Sequence, residues 1–154
     1  MTDFKPKNPD FEKMLRDSFA KQGIMDHIQA EMGAVSPGHC EIRLPYSDDL
    51  SQQHGFFHGG IVGTIADSAG GYAAFSLMKE GDGILTVEYK LNLMAPADGD
   101  MLIARGEVTR PGRTLTVCHA EVVVVIDGVE TACAVMQQTL MRIVGRADVP
   151  VKSQ

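Results

Sequence analysis

Four long runs in the second half of the chain, Ile84–Met94, Met101–Thr109, Thr114–Ile126 and Val129–Ile143, are rich in β-branched residues and bounded by turn-forming stretches. That pattern predicts strands. The breaks are a Pro96 turn, the sequence RPGR at Arg110–Arg113, and Asp127-Gly128. An Asp-Gly pair between two such runs is a two-residue hairpin signal. With those two residues as the loop, Cys118 faces Gln137 and Cys133 faces Val122. Further upstream, Cys40, Ile42 and Leu44 alternate with Glu41 and Arg43, as in a half-buried strand. The SPGH turn at Ser36–His39 separates it from an earlier extended segment.

From about Gly59 to Met78 the period changes. Ile61, Val62, Ile65, Ala66, Ala69, Tyr72, Ala73, Phe75 and Leu77 cover nearly the whole circumference of a helix, so that helix is buried on most sides. Its small residues Gly63, Ala66, Gly70 and Gly71 would let another backbone come close. An EGDG turn ends it. At the start of the chain, Asn8-Pro9 is a helix-start signal. Phe11, Met14, Leu15 and Phe19 then share one face, and Gly23 stops the helix. Residues 1–8 are polar and expected to fray. The predicted order is helix, strand, strand, long buried helix, then four strands in a meander. Four antiparallel strands curving round one apolar helix make an α+β domain.

Composition narrows the function. A chain of 154 residues with 44% hydrophobic and 22% charged residues suits one globular domain. Its net charge of −6, with no basic stripe, argues against a nucleic-acid partner. No apolar run is long enough to span a membrane, and the N-terminus has no signal-peptide pattern. Three cysteines without CxxC spacing, not facing one another across the hairpin, are expected to be free thiols in a reducing compartment, the cytoplasm.

Asp67 is the residue that asks for a chemical explanation. A lone carboxylate in an apolar helix is costly unless it is paired or used. A neighbouring hydroxyl, such as Thr64 or a residue on a strand, would satisfy it without any chemistry. The helix begins at Gly59-Gly60, where free N–H groups and the positive end of the helix dipole could hold a carbonyl oxygen gaining negative charge. The glycines could equally serve only a tight turn. Asp67 lies eight residues after Gly59, about 12 Å along the helix and about 80° round it. One small reacting group cannot touch both. Either they are unrelated, or two helices lie antiparallel across a two-fold axis and each site takes Gly59 from one chain and Asp67 from the other.

His58-Gly59-Gly60, the acid at Asp67, and the strand motif ending in Met94-Ala95-Pro96 together resemble the hotdog-fold acyl-CoA thioesterases of the PaaI-like type. The resemblance runs from about Gln22 to Ile143. It implies a hotdog fold, an antiparallel curved sheet wrapped around one long central helix. It assigns the carbonyl-polarising N–H to Gly59, and the general base or nucleophile to Asp67 of the opposite subunit. Gln52 would position water or the carboxylate, with Gln53 or His54 as alternatives, and Thr86 would support the site. It implies an acyl-CoA substrate, with Phe56, Phe57 and Tyr72 near a medium-chain or aryl acyl group. No cofactor and no metal are implied, and His54, His58 and Asp67 are not read as a metal site. His58 and Gly60 are expected to border the substrate, with His58 also fixing the turn. His119 is expected to be a satisfied core or pocket residue, and the cysteines to pack in the core. Arg110 and Arg113 at a hairpin tip read first as a solvated turn; the resemblance adds that they could meet the phosphates of CoA.

The expected organisation is an N-terminal extension with a short helix over 1–22, a hotdog thioesterase domain over 23–145, and a tail over 146–154. The expected assembly is a homodimer with shared active sites, paired again into a tetramer. The competing functional reading is a non-catalytic acyl-CoA-binding protein. Retention of Asp67 argues against it, since a mere binder gains nothing from a carboxylate beside a thioester. A hotdog dehydratase would place Phe-Pro-Gly on the loop, where this chain reads HGFFHGG.

Overall fold

The computed structural model describes residues 4–146 and 148. Residues 1–3 of the segment expected to fray, and most of the 146–154 tail, lie outside them. From Phe4 onward the N-terminal segment is packed rather than frayed: Phe4 lies against the core, and Asn8 is buried. Asn8 Oδ1 accepts a hydrogen bond from Asp10 N–H at 3.0 Å, which is the bond expected of a capping side chain. Regular helix begins slightly later, as α1, Phe11–Phe19.

Gly23 does not stop this helix. The chain turns after Phe19, with Lys21 N–H and Gln22 N–H bonding back three residues. Gln22 is extended, and Gly23 opens a second helix, α2, Gly23–Ile28. Its Met25 and Ile28 are buried; six residues are too few to show a helical period in the sequence. Strands β1 (Glu31–Ser36) and β2 (His39–Pro45) form a hairpin around Gly38, whose φ of +83° suits glycine. Cys40, Ile42 and Leu44 point inward as their alternation requires.

Helix α3, Gly59–Phe75, is the long buried helix, and looser turns carry it on to Met78. Strands β3 (Gly83–Leu93), β4 (Met101–Arg110), β5 (Leu115–Ile126) and β6 (Val129–Ile143) follow. All strands join one antiparallel sheet in the order β1-β2-β4-β5-β6-β3. Strands β2 to β6 pack against α3. The small residues of α3 serve this sheet closely: a Cβ on Gly106 of β4 would lie 2.3 Å from the Ala69 backbone.

Two expectations need correction. The last four strands are not one meander: β4, β5 and β6 are, but β3 pairs with the far side of β6. Both edges of β4 are already taken, by β2 and β5. Residues 94–100 cross the end of the sheet instead, held by Met94 N–H and Ala95 N–H on Cys133 O and by Asp100 N–H on Val125 O. Alternation fixes which face a residue takes, not which strand is its neighbour. The second correction is one of register. The Asp127-Gly128 turn has positive φ at both residues and pairs Ile126 with Val129 as expected. A bulge then intervenes at Cys133, so Cys118 faces Gln138 rather than Gln137, and Val122 faces Ala134. The three thiols are free and buried.

Strand β3 forms the open edge beside α3. Leu85, Val87, Tyr89 and Leu93 on it are each more than half exposed, as is unusual for large apolar side chains on a strand.

Candidate active site

The loop before α3 is drawn tight by its own backbone. Gln52 N–H donates to Phe56 O, Gly55 N–H to Gln52 O, and His58 N–H to Leu50 O. Buried Phe57 anchors it, edge-on to Tyr46 with ring centres 5.2 Å apart. Gln52 Oε1 accepts from His54 N–H, which leaves its amide nitrogen for other partners. His58 caps α3, its Nδ1 accepting from Gly60 N–H at 2.9 Å. Ile61 and Val62 donate to His58 O. Gly59 N–H is therefore the first-turn donor with no acceptor among the described residues. It borders an apolar cavity of about 460 Å³ lined by Gln52, Phe56, Phe57, Leu93 and Cys133, with Met94-Ala95-Pro96 along one wall. Tyr72 is not part of it. Its ring packs edge-on against Phe19, and its hydroxyl bonds Ser18 and Gln22.

Asp67 sits two turns further along the same helix. Thr64 is not its partner, because Thr64 Oγ1 donates to Gly60 O. Thr86 Oγ1 donates to Asp67 Oδ1 at 2.7 Å. Gln138 Nε2 donates to the same oxygen at 3.0 Å and to Asp67 O at 3.1 Å. Asp67 Oδ2 accepts from none of the described residues. Burial pushes the carboxyl above the ordinary carboxylate range, against the two hydrogen bonds that favour its charged form. A carboxylate so placed is a competent proton acceptor.

The predicted residues thus fall into two groups. Gln52, His58, Gly59 and Gly60 gather at the start of α3; Asp67 and Thr86 gather further along it. Gln53 and His54 are exposed on the loop. Arg110 and Arg113 are exposed at the β4–β5 tip. Strand register places that tip at the Thr86 end of the sheet: Thr116 faces Leu140, which faces Thr86. Gln138 escaped the sequence reading. Its signal was there, a glutamine in the parity of Ala134, Met136 and Leu140, which all turn inward.

A larger cavity, about 750 Å³, lies along β2, β4 and β5, between His39, Glu41, Arg105, Glu107, His119 and Glu121. His119 thus lines a cavity on the outer side of the sheet, the pocket alternative of its sequence reading rather than the core one. Arg105 there is neutralised by Glu41 and Glu130. The cavity holds neither Gly59 nor Asp67. Among the described residues no three His, Cys, Asp or Glu side chains are grouped to hold a metal ion, and no helix is long and apolar enough to cross a membrane.

The thioesterase superfamily profile matches residues 54–131. A protein of Halobacterium salinarum assigned as an esterase is 32% identical over 110 residues, 68% of this chain and 72% of its own length. The 1,4-dihydroxy-2-naphthoyl-CoA hydrolase of Listeria monocytogenes is 21% identical over 100 residues, 65% of this chain and 81% of that enzyme. Among solved structures, a thioesterase family protein from Silicibacter pomeroyi superposes with a TM-score of 0.86 at 49% identity, covering 88% of this chain and 99% of that one. The PaaI protein from the phenylacetic acid degradation operon of E. coli shares the fold, with a TM-score of 0.77 at 18% identity over 89% of this chain and 96% of its own. The curved antiparallel sheet around α3 is the hotdog fold, and the chain belongs to the thioesterase superfamily.

Proposed function

We propose that the protein hydrolyses acyl-CoA thioesters at two sites shared between the chains of a homodimer. The observation that carries this reading is the separation of Gly59 and Asp67 on one continuous helix, beside a strand edge that is both unpaired and apolar. A second copy adding its β3 antiparallel to this one would satisfy the edge. With the two-fold axis near Gly63, midway between the two residues, Gly59 of one chain would meet Asp67 of the other. The stripe of α3 left uncovered by its own sheet, through Gly60, Thr64, Asp67 and Ser68, suits that approach.

In this reading the thioester carbonyl accepts from Gly59 N–H, with the helix dipole adding to the stabilisation of its developing charge. Gln52 holds a water. Asp67 takes a proton from that water as its oxygen bonds to the carbonyl carbon. The C–S bond then breaks, and the departing thiolate of CoA takes the proton back. The acyl group lies in the apolar cavity beside Phe56 and Phe57, and Arg110 and Arg113 meet the phosphates of CoA. The catalytic unit is 23–145, preceded by the 1–22 extension and followed by the 146–154 tail. Two dimers pair into a tetramer, and the buried free thiols suit the cytoplasm.

A thiol-release assay over medium-chain and aryl acyl-CoAs tests the activity. Turnover that disappears in Asp67→Asn supports the reading; binding of every acyl-CoA without thiol release would sink it. Single turnover in ¹⁸O-labelled water tests the role of Asp67. The label should enter the released acid directly, and label trapped in Asp67 would make it the nucleophile instead.

A further inference from the structure

Gln138 occupies a core position where an apolar side chain would serve packing better. It stands between Met136 and Leu140 on β6 and is itself only 1% exposed. Its Oε1 is buried without a hydrogen-bond partner among the described residues, which costs stability. Two features accommodate this side chain. A Cβ on Gly70 would lie 2.1 Å from Gln138 Oε1, so only glycine leaves it room. The bulge at Cys133 turns Gln138, rather than Gln137, to the same face as buried Cys118.

What the side chain does there is hold Asp67. Its Nε2 bridges the carboxylate Oδ1 and the carbonyl oxygen of the same residue. That bridge ties the side chain to its own helix backbone. Thr86 reinforces the same Oδ1 from the edge strand.

Resting on the hydrolytic reading of Asp67, we propose that Gln138 is a positioning residue: together with Thr86 it engages Oδ1, and so leaves Oδ2 as the oxygen that acts on water. No charged side chain on the strands packed against α3, β2 to β6, acts on Asp67. Its ionisation is therefore set by burial against these two hydrogen bonds. Removing one donor to the charged form raises the carboxyl's titration midpoint further.

The test uses Gln138→Met, similar in size but without a donor, and Gln138→Asn, one methylene too short. Both should lower kcat by about ten- to a hundred-fold with KM little changed. In both, the Asp67 carboxyl carbon, followed by ¹³C NMR, should titrate at higher pH than in the wild type. In the wild-type protein the side-chain N–H signals of Gln138 should move with the same midpoint as that carbon. A purely structural glutamine would change thermal stability and leave the midpoint alone. Gln138 signals indifferent to Asp67 ionisation, or variants with wild-type midpoint and kcat, would overturn the proposal. If neither variant folds, the wild-type titration alone decides. The titration is read on the carboxyl carbon, so a wild-type protein that released no thiol would fail the functional reading without altering this outcome.

Discussion

Gly59 and Asp67 stand eight residues apart on one uninterrupted helix, about 12 Å along its axis and about 80° round it. Each is equipped for one half of an acyl transfer. Among the described residues, Gly59 offers an N–H without an acceptor, and Asp67 offers an oxygen without a donor. A carbonyl carbon and the water attacking it cannot reach both from within one chain.

Replacing Asp67 with Asn should separate activity from stability. The amide can accept from Thr86 and Gln138 at its oxygen, so the fold is kept. It cannot accept a proton, and kcat should fall by about 10²–10⁴-fold. Stability should move the other way. The folded carboxyl titrates above its unfolded value, so the native state binds more protons in that window, and stability falls as pH rises through it. Above that window the folded state carries the cost of burying the charged form, and Asp67→Asn should melt a few degrees higher than the wild type at pH 7. Calorimetry checks this, and a lower melting temperature at pH 7 would contradict it.

The same shift predicts the pH–rate profile. Activity should rise with pH as Asp67 ionises, with the midpoint of the acidic limb above the ordinary carboxylate range. Initial rates between pH 4 and 9 measure it. A limb at or below the midpoint of an ordinary aspartate would mean that burial does not govern this carboxyl.

Exchanging Arg110 and Arg113 together for Gln should raise KM for CoA thioesters several-fold and leave kcat nearly unchanged. It should also flatten the dependence of KM on salt. An unchanged KM would return the pair to the role of a solvated hairpin tip.

The sequence carried much of this fold because period and face are local properties. The full-circumference run after Gly59, the alternation in β2 and the Asp127-Gly128 turn each specify their own element. Neighbour choice is not local. Nothing in Ile84–Leu93 says that β6 rather than β4 will pair with it; that follows from β2 occupying the other edge of β4. The bulge at Cys133 was equally hidden, since an extra residue in one strand leaves no mark on the alternation of its partner. Of the candidate site, the spacing from His58 to Asp67 was readable along one helix. Gln138 was not singled out, because it reaches Asp67 from 71 residues away across a register that the bulge had shifted.

Asp82 supplies a prediction about stability alone. It is 5% exposed, with Arg142 Nε at 2.6 Å from Oδ2 and Gly145 N–H at 3.2 Å from Oδ1. The guanidinium holds its carboxyl below the ordinary range. The contribution is thus complete above the unfolded carboxylate value and lost as pH falls through the folded one. Asp82→Asn leaves Arg142 without its counter-charge and should cost about 3 kcal/mol in urea unfolding at pH 7, with kcat unaltered in the folded fraction. A loss below about 1 kcal/mol would place this pair with ordinary surface ion pairs.

The shared site is tested most directly by a mixed dimer. One chain carries Asp67→Asn. The other carries Gly59→Val, whose bulk would enter the space beside the Gly59 N–H: a Cβ there already lies 2.7 Å from Leu93 Cδ1, so Leu93 must shift into the cavity it lines. Each homodimer should be inactive. In the mixed dimer, purified through separable tags after co-expression, one site receives both lesions and the other receives neither. The account predicts about half of wild-type turnover per dimer, by this counting of intact sites. A folded mixed dimer as inactive as both parents would place Gly59 and Asp67 of each site in the same chain and contradict the account.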